Sequence, residues 1–126
     1  MKKIRIVFYL RSKNITMEEL SKRIGIEPFG IRSVFPKHSR AIPFWYTEVE
    51  SYASRLEEPL AEMEERIRPR LKEIVALCEE YQIEASFYIP ILADYPERPE
   101  ISISPRFFRL FRQLNAEVDF EVNYVW

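Results

Sequence analysis

Four stretches of this chain alternate apolar and polar residues with a period of two, and that alternation narrows its architecture more than any other feature. In the first, Ile4, Ile6, Phe8 and Leu10 alternate with Arg5, Val7, Tyr9 and Arg11. In the second, Trp45, Thr47 and Val49 alternate with Tyr46, Glu48 and Glu50, after Pro43, where a missing N–H is tolerable. In "EASFYIPIL" (84–92), Ala85, Phe87, Ile89 and Ile91 share one side. In the last, "EVDFEVNYVW", Val118, Phe120, Val122 and Tyr124 stand against Glu117, Asp119, Glu121 and Asn123. Successive side chains of a strand point to opposite faces, so each stretch predicts a strand with one buried face. "ISIS" (101–104) predicts a further short strand, and Pro90 predicts an edge position or a bulge for the strand that holds it.

Between the strands the period changes to that of a helix. In "NITMEELSKRIGIEP", Thr16 followed by Glu19 is a capping box, Leu20 and Ile24 share a side, and Gly25 stands where a left-handed C-terminal cap is wanted. From about Glu57 to Tyr81, Leu56, Leu60, Met63, Ile67, Leu71, Ile74, Cys78 and Tyr81 recur at intervals of three and four. Pro59 suits the first turn of that helix, whereas Pro69 predicts a kink or a division. "SPRFFRLFRQLN" predicts a third helix, with Ser104 as N-cap, Pro105 in the first turn, and an apolar side of Phe107, Phe108, Phe111 and Leu114. Asn115 can take the left-handed cap there. Residues 26–43 have no clean period and predict a long loop.

The expected order is β-α-β-α-β-β-α-β. Since every strand has one apolar and one mostly polar face, the fold class is α+β. It is a two-layer sandwich of one mixed sheet of about five strands, with helices packed on one face and a ferredoxin-like character. A chain of 126 residues predicts a single domain over 1–126. The single cysteine fits a reducing compartment, and no stretch approaches the roughly 20 apolar residues of a transmembrane helix, so a cytoplasmic protein is expected.

Several of these features together resemble a bacterial family of unknown function, DUF4279. They are "ITMEEL" followed by "GIEP", the strand at Trp45, the long charged helix, and the ending "ISISPRFFRLFRQLNAEVDFEV". They cover nearly the whole chain. Asn115 departs from the pattern, since glycine is expected there. The resemblance implies a small α+β domain and no established activity, and it brings no catalytic residues with it.

Two surfaces stand out as candidate sites. By alternation, the sheet face turned away from the helices carries Tyr9, Tyr46 and Tyr88, with Glu117, Asp119 and Glu121 from the last strand. Tyrosine combines contact area with a polar tip and is enriched at interfaces. The layout is that of a single-stranded RNA platform, but the carboxylates would repel phosphates, and a net charge of −1 adds no pull toward nucleic acid. The expectation is a non-enzymatic interaction domain that forms a homodimer or holds a protein partner. An inhibitor or immunity protein against a basic target is a narrower variant. The second surface is the loop with Arg32, Lys37, His38 and Arg40, which predicts an anion or small-molecule site, or an enzyme built around it. No cofactor or metal is expected, because the chain has one Cys and one His. Cys78 falls on the apolar stripe, where a small buried hydrophobe is expected.

Overall fold

A computed structural model describes residues 3–28, 30–32, 42–52, 55–99 and 101–125. Five strands form one mixed sheet: β1 (Lys3–Arg11), β2 (Gly30–Arg32), β3 (Phe44–Ser51), β4 (Glu84–Asp94) and β5 (Glu117–Val125). Their order across the sheet is β2-β3-β1-β4-β5. β1 pairs antiparallel with β3 and with β4, β2 pairs antiparallel with β3, and β4 pairs parallel with β5. The helices are α1 (Met17–Ile24), α2 (Glu57–Ile67), α3 (Leu71–Tyr81) and α4 (Pro105–Gln113).

One parity of each strand supplies the core. Ile4, Ile6, Phe8 and Leu10 of β1, Trp45 and Val49 of β3, and Phe87, Ile89 and Ile91 of β4 are buried. They meet Leu20 and Ile24 of α1, Met63 and Ile67 of α2, Ile74 and Leu77 of α3, and Phe107 and Leu110 of α4 in one cluster. All four helices therefore cover the same face of the sheet, and among the described residues the opposite face has no helix layer.

Local chemistry explains where the elements stop. The Thr16 hydroxyl accepts the Glu19 backbone N–H at 3.2 Å, which satisfies one of the free donors at the start of α1. Gly25 ends that helix with φ at +72°, and a side chain there would also overlap the Arg70 guanidinium. That guanidinium donates from Nε to the Ile24 carbonyl at 2.7 Å, so it fills an acceptor that the helix end leaves free. Pro69 divides the long helical stretch as its missing N–H requires: a 3₁₀ turn, Arg68–Arg70, separates α2 from α3.

Three expectations need correction. "ISIS" is not a strand, because nothing among the described residues pairs with it; residues 101–104 form the crossover into α4, with Ile103 packed on the core. The fifth strand is instead Gly30–Arg32, inside the stretch expected to be loop; it exists through its pairing with β3 rather than through any period of its own. The ferredoxin-like expectation also fails. That fold inserts a strand between the two parallel strands of each β-α-β unit. Here β1 and β3 are antiparallel neighbours, and the parallel pair β4 and β5 is adjacent.

Pro90 is a further departure, since β4 lies in the sheet interior. The β1–β4 ladder is interrupted opposite it, between the pairs Ile4↔Ile91 and Val7↔Tyr88. Proline has no N–H to give at that position; of the edge position or bulge expected from sequence, the edge position does not hold, and a local gap in the ladder accommodates the proline.

Candidate functional site: the uncovered sheet face

The pairing register draws the three tyrosines of the uncovered face together. Tyr9 of β1 stands opposite Tyr46 of β3, and Tyr88 of β4 stands opposite Val7 of β1. With Val7, Ile42 and Phe44 they line a cavity of about 550 Å³, which Arg5 and Arg11 border. Phe44 contacts both Tyr9 and Tyr46, with ring centroids 6.1 and 5.9 Å apart. The tyrosines are half-buried, so each ring contributes area while part of it faces the opening. The cup is apolar at its base and carries phenol groups around it, a lining suited to an apolar or aromatic group from another molecule.

Charges on the β1 side of the face are neutralised in pairs. Arg5 is paired with Glu48, Arg11 Nε donates to Glu84 at 2.9 Å, and Lys3 lies 3.0 Å from Glu50. The Lys3 ammonium holds the Glu50 carboxyl below its usual pKa, and Glu50 raises that of Lys3. On the other side the balance is acidic. Glu117, Asp119 and Glu121 of β5 are exposed and stand beside Ser86, Tyr88 and Pro90. Among the described residues none of the three has a cationic partner. Glu121 accepts the Tyr88 hydroxyl and, at 3.0 Å, the Asn123 amide. These bonds lower the Glu121 pKa, and the first raises that of Tyr88. Both shifts favour the neutral phenol beside the charged carboxylate, so the bond persists at neutral pH and is lost only as Glu121 protonates in acid or Tyr88 ionises in alkali.

The six residues expected at a partner surface thus share one face, with the acidic row flanking the cup. Phe44 was missed, although counting back by two from Tyr46 places it there. The expected anion set falls outside the described residues: Lys37, His38 and Arg40 entirely, and Arg32 in its side chain. Arg66, Arg68 and Arg106 of the helical layer have partners. Arg66 Nη1 donates to Thr47 Oγ1 at 2.7 Å and to the Glu48 carbonyl at 3.0 Å, which ties α2 to β3. Arg68 and Arg106 both approach Glu64, at 2.7 and 3.6 Å. The Arg68 pair with the buried Glu64 is an i,i+4 contact within one helical stretch, whereas the partners of Arg66 and Arg106 lie across the fold.

Cys78 packs against the core and borders a second cavity of about 410 Å³ between the C-terminal ends of α3 and α4. Burial, and then the charge of Glu79, push its thiol pKa up to about 11. The thiolate, which is the reactive form, is therefore scarce at neutral pH. At pH 8 a disulfide-exchange reagent is expected to modify the folded protein on the order of a hundredfold more slowly than the protein in denaturant. Equal rates would show an accessible, ordinary thiol. Among the described residues no group of three or more His, Cys, Asp or Glu side chains could hold a metal ion, and no helix is long and apolar enough to cross a membrane.

No curated protein and no solved structure matches the chain. The model of one family, described as "Domain of unknown function (DUF4279)", matches residues 2–125, nearly the whole chain, and the chain belongs to that family.

Proposed function

We propose that this domain is a recognition module whose uncovered sheet face binds another protein. The cup takes an apolar or aromatic side chain, and the acidic row meets a basic surface around it. One observation carries this reading: Tyr9, Tyr46 and Tyr88 line a single cavity beside three carboxylates that have no cationic partner among the described residues. Aromatic anchors in a central pocket supply most of the energy of an interface, and a charged rim supplies rate and selectivity. An inhibitor of a basic enzyme would need both.

The test is capture of partners from the source cell by the wild type and by Tyr46→Ala and Asp119→Lys, followed by titration of the captured protein. Tyr46→Ala is expected to weaken binding by about 2 kcal/mol or more, roughly 30-fold, without altering the fold. Asp119→Lys is expected to slow association and flatten its salt dependence. A partner that binds both variants as it binds the wild type would move the function off this face.

A further inference from the structure

We propose that two copies of this chain pair edge to edge through β5, antiparallel, with Val122 of one copy opposite Val122 of the other. The sheet has two edges of different character. β2 spans only three residues, and a short edge strand offers little to pair with. β5 spans nine residues, contains neither proline nor lysine, and among the described residues has no neighbouring strand on one side of its backbone. The direction of its free groups follows from one bond. The Tyr95 N–H donates to the Val125 carbonyl at 2.9 Å, so Val125 points its backbone groups toward β4. Alternate residues point the same way along a strand. Val118, Phe120, Val122 and Tyr124 therefore direct their N–H and C=O groups outward from the sheet.

The side chains of this edge are apolar on the helix side. Phe120 and Tyr124 are 39% and 43% exposed, and Phe108 of α4 is 51% exposed. Phe108, Phe111, Val118, Phe120 and Ile103 line an open groove of about 420 Å³ along the β5 edge. With Val122 on the two-fold axis, Phe120 stands opposite Tyr124 of the second copy. That ring then lies at the mouth of the groove, and the reciprocal contact forms by symmetry. A C2 interface requires this self-complementarity.

The carboxylates select the register. If the axis passed through Phe120, Asp119 would face Glu121 of the second copy; through Glu121, that residue would face itself. Like charges directly opposite are destabilising. With the axis at Val122, Glu121 faces Asn123, whose amide can donate to it, and Asp119 faces Val125. This is the longest register that opposes no two carboxylates. The acidic row therefore penalises the registers shifted toward the N-terminal end of β5 and leaves the Val122 register as the longest it permits, which is how a charged edge limits open-ended association.

The experiment is light scattering on a size-exclusion column with the whole chain, comparing wild type, Val122→Pro, Tyr124→Lys and Tyr46→Ala, each checked for folding by circular dichroism. Val122→Pro removes an N–H that β4 does not use, and Tyr124→Lys places a charge in the apolar contact. The expected result is a wild-type dimer, folded monomers for both edge variants, and a dimer for Tyr46→Ala. If Val122→Pro fails to fold, Tyr124→Lys still decides. A wild type that stays monomeric up to roughly 100 μM would overturn the proposal. So would a dimer that Tyr124→Lys leaves intact, or one that Tyr46→Ala dissociates, which would place self-association on the uncovered face.

Discussion

Phe87→Ala is expected to lower the stability of this domain by about 3–5 kcal/mol, the usual cost of emptying a buried aromatic site. A domain of this size has a total of roughly 5–15 kcal/mol, so the loss is a large share of it. Phe87 is fully buried in a central strand. Its ring lies 4.9 Å from that of Phe8 and 4.8 Å from that of Phe111, so it joins β1, β4 and α4 at one point. The melting temperature should fall on the order of 10–20 °C. Tyr88, the next residue, faces away from the helices, and its hydroxyl bond to Glu121 is exposed. Tyr88→Ala should therefore cost about 1 kcal/mol or less. Thermal melts of the two variants read the two-layer arrangement directly. Equal losses would mean that the uncovered face is covered in solution, and effects of Tyr46→Ala on binding could then no longer be separated from effects on folding.

The sequence shows side-chain periods plainly and strand partners poorly, and the particular residues follow that division. Period two placed Tyr9, Tyr46, Tyr88 and the β5 carboxylates on the face where they lie, because pleating alone decides which side a residue takes. Pro69 and Gly25 were legible for a similar reason: a missing N–H and a positive φ are local constraints. "ISIS" alternates as well as any strand, but alternation does not supply a neighbour, and none of the described residues pairs with it. Gly30–Arg32 has no pattern and becomes a strand because β3 passes beside it. Pro90 pointed to an edge or a bulge; β5 lies beyond it in the sheet, and the β1–β4 ladder is interrupted opposite it. On α4 the buried set is Phe107, Leu110 and Phe111, whereas Phe108 is exposed, so residue size misled where the angle around the helix decides. The bonds of Arg66 to Thr47 and Glu48 were not legible, because they depend on how α2 lies across β3.

Trp45 should show a different pattern of losses. It is fully buried, its ring lies 6.3 Å from Phe8 in an edge-on contact, and its indole N–H finds no acceptor among the described residues. Trp45→Ala removes the whole ring and is expected to cost about 3–5 kcal/mol, read as a lower urea midpoint at unchanged slope. Trp45→Phe removes less volume and also removes the N–H. Burying a polar group without a partner costs roughly 1–3 kcal/mol, so its removal offsets much of the cavity left by the smaller ring. Trp45→Phe is therefore expected to lie within about 1 kcal/mol of the wild type. A loss close to that of Trp45→Ala would show that the N–H is bonded in solution. The comparison bears on function because Trp45 anchors the strand whose flanking residues, Phe44 and Tyr46, line the cup from the other side. A variant that keeps the anchor should keep partner binding. A variant that loses it should lose stability and binding together, whereas Tyr46→Ala should lose binding alone.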